Sequence, residues 1–263
     1  MKKSIIIFSF LFIGFVYKAM AQKDELAAKL QNPLANIIAL PIQNNVSVGS
    51  SAYDGSIYTM SLQPIVANEH KHFNLIHRGV FDISHLPSSA EGSGSTWGVG
   101  DLNYSFFLSP KKTNKLAWGV GPSITLPTAS HEMLGTGKWA AGAAMVMVYQ
   151  TPKWTFDMVM RQTFSFAGDE SRADVNSFVW QTLAAYSLGN GWVLNTFPTI
   201  TANWNADKGQ RWTIPVGGGI NKLVFIGGKL PVNLGVQYYH NVVRPDHGPK
   251  GEFRVVTSFV LRK

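Results

Sequence analysis

The chain has 263 residues with no cysteine, and its 23 basic residues exceed its 15 acidic ones. The absence of cysteine excludes disulfides, thiolate chemistry, thiol-bound zinc and a lipid-modified cysteine. Charged residues make up only 14% of the sequence and are scattered through it, which argues against nucleic acid as a partner.

The first 21 residues have the pattern of a secretory signal peptide. Two lysines precede an apolar run over residues 5–17, and residues 19–21 read Ala-Met-Ala, a small-x-small cleavage site. A membrane-anchoring helix is the alternative, but it needs roughly 18 apolar residues, and Lys18 interrupts the run too early. We therefore predict cleavage near Ala21 and export of the mature chain.

Residues 22–43 are predicted to form a separate N-terminal segment. The sequence KDELAAKLQN is compatible with a short amphipathic helix that ends at Asn32-Pro33, and an apolar but irregular stretch follows. A plug, a periplasmic tether and a lead into the first strand all fit this composition.

Residues 44–263 are predicted to form an all-β, antiparallel transmembrane barrel of about twelve strands. The predicted spans are 44–51, 56–66, 72–84, 97–108, 115–127, 138–150, 153–166, 175–187, 191–204, 211–224, 230–243 and 251–262. Short turns alternate with longer polar connections, as in bacterial outer-membrane barrels, and an even strand count places both termini on the periplasmic side.

The stretch 116–126 shows the alternation that favours a barrel. Large residues such as Trp118 and Val120 share one face, and Gly119, Gly121 and Ser123 share the other. A secreted soluble sandwich would bury the large face, whereas a barrel turns it to lipid. Few charges, 12% aromatic residues and no long apolar run in the mature chain favour the barrel. The small face here and at 140–144 predicts open space in the lumen beside it.

Aromatic residues near strand ends would form the girdles at the membrane interfaces. They are Trp97, Trp118, Trp139, Trp154, Trp192, Trp204, Trp212, Tyr104, Tyr149, Tyr186 and Tyr238.

Polar residues of the opposite parity are the candidates for lining the lumen. They are Arg78, Asp82, Asp101, Asn103, Asp157, Arg161, Gln181, Asn195, Asn233 and Gln237. They form either a solute path or a mutually satisfied polar core that closes a narrow barrel.

Fragments that resemble enzyme motifs are incomplete. Gly135 to Lys138 ends like a phosphate loop, but Trp139 stands where Ser or Thr should hold magnesium, and His131-Glu132 lacks the second histidine of a zinc protease. His70 and His72 fit a solvated turn better than a metal site. We therefore predict no catalytic residue, metal or cofactor.

Several blocks in order resemble the outer-membrane transporter family named after the meta-pathway of phenol degradation. They are residues 32–45, 98–111, 116–129, 134–142, 165–169, 212–224 and 232–249. The resemblance implies an outer-membrane barrel, and some members of the family accompany genes for breaking down aromatic compounds. One departure is the C-terminus, where Leu261-Arg262-Lys263 replaces the terminal aromatic of many bacterial barrels.

The function that these observations favour is passive entry or binding of a small hydrophobic or aromatic solute. The expected partners are outer-membrane lipid and lipopolysaccharide, the solute, and the barrel-assembly machinery. A structural or adhesive barrel with a closed lumen and a lipid-modifying barrel enzyme are the alternatives.

Overall fold

The computed structural model describes residues 26–28, 32, 34, 38–89, 92, 94–111 and 115–261. These residues contain fifteen strand segments, two short 3-10 helices at Glu132–Leu134 and Lys208–Gln210, and a helical turn at 26–28. In chain order the segments are β1 (Ile38–Val48), β2 (Ile57–Leu62), β3 (Ile65–Glu69), β4 (Phe73–Leu86), β5 (Thr96–Val99), β6 (Leu102–Pro110), β7 (Leu116–Leu126), β8 (Lys138–Gln150), β9 (Trp154–Gly168), β10 (Asn176–Gly189), β11 (Trp192–Thr196), β12 (Thr199–Asn203), β13 (Trp212–Ile226), β14 (Leu230–Val243) and β15 (Gly251–Leu261). No helix in the described part of the chain is long and apolar enough to cross a membrane.

The segments join into one closed antiparallel barrel of twelve strands. Three of these strands are divided into two segments each: β2 with β3, β5 with β6, and β11 with β12. Each strand pairs with the next along the chain, and β15 closes the barrel on β1, from Ile38 opposite Leu261 to Val48 opposite Gly251. Closure thus joins the last strand to the first, so the sheet as a whole does not end in an edge strand. The predicted all-β antiparallel barrel of about twelve strands is confirmed.

Two of the three interruptions fall at prolines. Pro64 separates β2 from β3, and Pro198 separates β11 from β12. Proline has no N–H to give to a sheet, so the ladder breaks locally. Both proline carbonyls still accept hydrogen bonds, from Gly79 N–H over 3.1 Å and from Thr182 N–H over 3.4 Å. The neighbouring strands therefore remain bonded at both breaks.

The first strand begins earlier than the sequence predicts. It starts at Ile38 rather than at residue 44. The early start is stabilised by hydrogen-bonded pairing, because β1 pairs with β15 along its whole length and with β3 at its first two residues. Pro41 and the irregular apolar pattern around it concealed this start. Residues 38–43 thus belong to the barrel wall.

The connections define two ends of the barrel. The short-turn end includes the connections at 70–72, 151–153, 190–191 and 227–229, and the long-loop end carries those at 49–56, 87–95, 127–137, 169–175, 204–211 and 244–250. Arg172 fixes the longest loop by donating to the carbonyl oxygens of Glu132 and Gly135 over 2.8 and 2.7 Å. Lys138 Nζ lies 3.3 Å from Asp174, and together with Ser165 it holds the pKa of that carboxyl below its ordinary value of 3.8.

The outer face of the strands is apolar. Large exposed hydrophobic residues on the strands include Trp97, Leu108, Trp118, Val120, Phe156, Phe164, Phe166, Leu194, Val216, Val236, Phe253 and Val255. In water so extensive an apolar surface would drive association, whereas bilayer hydrocarbon matches it. On β7 the predicted alternation is confirmed, since Trp118 and Val120 face outwards while Gly119 and Ser123 are buried.

Aromatic side chains gather near both ends, as predicted for interfacial girdles. Near the long loops, the rings of Trp204 and Trp212 meet edge to face with centroids 5.3 Å apart. Near the short turns, Trp154 lies 4.8 Å from Tyr186, and Lys222 Nζ sits 4.5 Å from the centre of the Trp192 ring.

The short-turn end of the lumen is apolar and contains part of the N-terminal segment. Ala27 packs in a cluster with Leu183, Ala185, Val193 and Leu223. Leu34 packs in a second cluster with Ala67, Ile76, Phe107, Ala144, Val146, Val148 and Val159. Gln150 Nε2 at the end of β8 donates to the carbonyl oxygen of Ala28 over 2.9 Å. These described residues therefore lie inside the mouth of the barrel.

Candidate solute cavities in the barrel lumen

Inward-facing side chains on neighbouring strands surround a cavity above the apolar clusters, which we call the inner cavity. Register places its wall residues side by side: Asp157 is opposite Leu183, and Asn233 is opposite Ser258. Its empty volume is about 710 Å³, including the part open to solvent. The apolar lining residues are Pro41, Ile65, Val159, Leu183, Phe197 and Val256, and the polar ones are Gln43, Gln63, Arg78, Asp157, Asn195, Asn221, Asn233, Gln237 and Ser258.

A second cavity, the outer cavity, adjoins the first on the side of the long loops. The two share Gln43, Gln63 and Arg78 in their linings. The outer cavity is more strongly charged, because Asp82, Arg161, Glu252 and Arg254 also line it, and its empty volume is about 610 Å³. The two cavities therefore lie next to each other along the lumen.

Arg78 stands at the junction of the two cavities. Its side chain is buried, and its Nη2 donates to Gln63 Oε1 over 2.8 Å and to Gln181 Oε1 over 2.6 Å. Gln181 Nε2 in turn donates a hydrogen bond to Thr199 Oγ1 over 3.2 Å. Hydrogen bonds to a charged donor are stronger than neutral ones, so this network holds the Arg78 side chain in place between the two cavities.

Opposite charges balance in the lumen. The arginines lining the two cavities are Arg78, Arg161 and Arg254, and the acidic residues are Asp82, Asp157 and Glu252. The closest described ion pair among them joins Arg254 to Glu252 over 2.8 Å. The linings of the two cavities thus contain three basic and three acidic side chains.

A chain of hydrogen bonds runs along the wall of the inner cavity. The backbone N–H of Phe197 donates to Tyr239 Oη over 2.8 Å, and Tyr239 Oη donates to Gln237 Oε1 over 3.1 Å. Gln237 Nε2 then donates to Asn195 Oδ1 over 2.8 Å. In this arrangement the Tyr239 hydroxyl accepts from the backbone and donates to Gln237, and the Gln237 amide nitrogen faces the side-chain oxygen of Asn195.

The predicted lumen residues have three kinds of surroundings. Eight line one or both cavities: Arg78, Asp82, Asp157, Arg161, Gln181, Asn195, Asn233 and Gln237. Asn103 is buried and donates to Ser123 and Thr125 over 3.1 and 3.0 Å. Asp101 instead holds the long loop 127–137, by accepting from the backbone N–H groups of Thr136 and Ala129.

The prediction of open space beside the small face of β7 is wrong. Neither cavity is lined by any residue of β7 or β8. Phe107 occupies this region, since a Cβ placed on Gly119 would lie only 3.1 Å from its Cβ. The small residues accommodate a large neighbour, and the cavities lie across the lumen.

Sequence reasoning missed several residues of the cavities. Asn221 and Arg254 have the inward parity of their predicted strands and could have been found by it. Gln43 fell outside the predicted barrel because the first strand was started too late. Gln63 was obscured by Pro64, which breaks the alternation.

Within the described part of the chain, no group of three histidine, aspartate or glutamate side chains could hold a metal ion. The candidate turn around His70 instead stacks the imidazole on Phe73, with ring centres 4.8 Å apart.

A closed twelve-stranded barrel with an apolar exterior and a lined lumen has the architecture of a porin-like outer-membrane channel. The chain belongs to the family described as "Putative MetA-pathway of phenol degradation", which matches residues 50–251. No curated protein matches the chain.

Solved structures of outer-membrane proteins resemble the chain at low sequence identity. The crystal structure of an outer membrane channel from Pseudomonas putida F1 is 18% identical with a TM-score of 0.61, over 86% of this chain and 94% of that one. The NanC porin is 14% identical with a TM-score of 0.49, over 84% and 100%. The CymD monoaromatic hydrocarbon channel is 10% identical with a TM-score of 0.40, over 89% and 91%. The first of these establishes the fold of the chain as that of an outer-membrane channel.

Proposed function

We propose that this protein is a passive channel of the bacterial outer membrane for small, uncharged and largely apolar solutes, with no catalytic activity. The observation that carries the proposal is the pair of adjoining cavities in the lumen of a lipid-facing barrel. Apolar and polar side chains alternate around the inner cavity, and the charges of the two cavities balance. A solute with an aromatic or aliphatic body meets apolar wall there without crossing a region of one charge sign. The family's description, which refers to phenol degradation, agrees with aromatic solutes.

The proposed mechanism uses no energy source. Long loops collect the solute at the outer surface, and the width and polarity of the two cavities select it. Arg78, held by two glutamine side chains at the junction of the cavities, forms the selective constriction.

The N-terminal segment ahead of β1 is proposed to act as a plug. Ala27 and Leu34 occupy apolar clusters at the short-turn end, and Gln150 bonds the backbone of Ala28. Apolar contacts and one hydrogen bond can be released and re-formed at modest cost, so displacement of the segment would open the inner end of the lumen.

The same proposal assigns each end of the barrel to one side of the outer membrane. We place the short-turn end and both termini in the periplasm, with residues 1–21 removed as a signal peptide. The apolar exterior would contact outer-membrane lipid and lipopolysaccharide, and the barrel-assembly machinery would insert the chain.

Two measurements on the refolded mature chain test the proposal. Single-channel conductance is recorded in planar bilayers, and solute entry into liposomes is followed for toluene and for an ion of similar size, benzoate. We expect faster entry of toluene than in protein-free liposomes and little acceleration of benzoate. A variant lacking residues 24–34 serves as the opened form.

The outcomes separate the alternatives. A folded, heat-modifiable barrel that accelerates neither solute, even without residues 24–34, would contradict the channel and favour a structural barrel. Acceleration of benzoate to the same extent as toluene would contradict selection by a charge-balanced lumen.

A further inference from the structure

We infer that the inner cavity is a saturable binding site for a small uncharged molecule with an apolar body and one polar end that both donates and accepts hydrogen bonds, such as an alcohol. The inference rests on the proposed function, because the cavity lies on the proposed route. In the inner cavity the solute is held by specific polar contacts, whereas a simple channel would only let it diffuse through.

Three buried polar atoms in the lining of this cavity have no hydrogen-bond partner among the described residues. They are Asp157 Oδ1, Asn195 Nδ2 and Asn221 Oδ1. Their side chains are only 7%, 5% and 4% exposed, respectively. Buried polar atoms are almost always paired in folded proteins, so three unpaired ones around one cavity indicate that something else pairs with them.

The orientation of Asn195 follows from the hydrogen-bond chain that ends on it. Tyr239 Oη accepts from the Phe197 N–H and donates its proton to Gln237 Oε1. With its oxygen bonded in this way, Gln237 donates through its amide nitrogen to Asn195 Oδ1. The Asn195 NH₂ group is left to face the cavity as a donor.

Tyr239 is thereby a positioning residue for a site that it does not line. It is 1% exposed, and the Arg254 guanidinium lies 4.9 Å from its ring centre, which holds the ring in place. Because the Tyr239 ring is held in place, its hydroxyl fixes the Gln237 amide, and Gln237 in turn keeps the Asn195 amide from rotating.

On β13, which pairs with the strand of Asn195, Asn221 has room because its partner on β14 is Gly235. A Cβ on Gly235 would lie 2.2 Å from Asn221 Oδ1. The amide thus lies over Gly235, and its oxygen is the acceptor without a partner.

The unpaired atoms define the chemistry of the ligand. Asn195 offers a proton, whereas Asp157 and Asn221 each offer an oxygen. A hydroxyl group meets both demands, since it donates one hydrogen bond and accepts others. The side chains of Val159, Leu183 and Phe197 provide the apolar wall for the rest of the molecule.

The charges of the lining select an uncharged ligand. An ammonium group would be drawn to Asp157 but would face Arg78, and a carboxylate would face Asp157. Like charges held together in a site of low water content repel strongly. A neutral hydroxyl avoids both conflicts.

The test measures binding without requiring transport. The refolded mature barrel in detergent is dialysed to equilibrium against radiolabelled cyclohexanol, against methylcyclohexane, which replaces the hydroxyl by a methyl of similar size, and against cyclohexylammonium. Micelles without protein correct for partitioning. We expect cyclohexanol to saturate one site per barrel and the other two probes to bind at least about tenfold more weakly, the factor for one hydrogen bond of about 1.4 kcal/mol.

Four variants locate the site. Asn195→Leu and Asn221→Leu should each weaken cyclohexanol binding about tenfold and leave methylcyclohexane binding unchanged or tighter. Tyr239→Phe should weaken only cyclohexanol, by roughly threefold, because the Asn195 amide becomes free to turn. Asn103→Leu is the matched control: it removes a buried lumen amide outside both cavities and should leave cyclohexanol binding unchanged.

Equal affinity for cyclohexanol and methylcyclohexane, uptake that does not saturate, or an unchanged affinity in folded Asn195→Leu would each overturn the inference. The result is independent of the transport assay. A barrel that transports toluene but shows no saturable cyclohexanol binding keeps the channel and refutes the site. A barrel that binds cyclohexanol but transports nothing keeps the site and refutes the channel.

Discussion

Replacement of Arg78 by methionine tests whether the charged network holds the lumen together. Arg78 is 7% exposed and donates to Gln63 and Gln181 over 2.8 and 2.6 Å. It also balances the charge of Asp157 across the inner cavity. Removing one partner of a buried charged network costs about 3–5 kcal/mol, and water in the adjoining cavities reduces the loss, so we expect about 3 kcal/mol.

The assay is equilibrium unfolding in urea in detergent micelles, followed by tryptophan fluorescence. Adding Asp157→Asn to Arg78→Met should recover about 1 kcal/mol, because it removes the unbalanced carboxylate. Lys111→Met is the control, since its 3.4 Å ion pair with Glu69 joins side chains that are 44% exposed and should be worth less than about 1 kcal/mol. An Arg78→Met barrel within about 1 kcal/mol of the original, with no effect of the second substitution, would refute this reasoning.

Three further predictions follow from other parts of the molecule. Deletion of residues 24–34 should raise the single-channel conductance, and unchanged conductance in a folded barrel would argue against the plug. Gly217→Ala should destabilise the barrel by about 1–3 kcal/mol in the same unfolding assay, because its Cβ would lie 2.0 Å from a carbonyl oxygen of β14, whereas Gly209→Ala, which meets nothing within 4 Å, should be neutral. The pKa of Asp174 is lowered on folding, so its contact with Lys138 contributes stability above the ordinary value of 3.8 and loses it as the pH falls through the lower folded value. Lys138→Met should raise the Asp174 pKa in a carbon-13 NMR titration, and an unchanged value would show that Lys138 is not its cause.

The alternation of side chains carried most of the information about the fold. On β7, large residues at one parity and small ones at the other are enough to assign a strand with one lipid face, because successive side chains point to opposite sides. The alternation of short and long connections then gave twelve strands and a closed barrel. The same parity assigned Arg78, Asp157, Asn195 and Gln237 to the interior.

Parity fails wherever the backbone leaves the regular strand. Gln63 lies beside the break at Pro64, and Asp101 lies in the interruption between β5 and β6, where its carboxylate turns to the loop 127–137. Gln43 belongs to a strand whose start depends on pairing with β15, more than 200 residues away. A local pattern contains no information about such a partner.

The sequence by itself determined an antiparallel barrel with polar side chains on its inner face, because these properties depend on local periodicity and composition. Only the tertiary structure decided where the lumen is filled and where it is open. Phe107 fills the space beside the small face of β7, and Leu34, which precedes the barrel strands, packs in the same cluster. The cavities lie away from β7 and β8, where side chains from nine barrel strands together leave space. The orientation of the Asn195 amide depends on a chain of hydrogen bonds that begins at the backbone of Phe197. Packing and hydrogen bonding across strands are properties of the closed barrel, so no single strand reveals them.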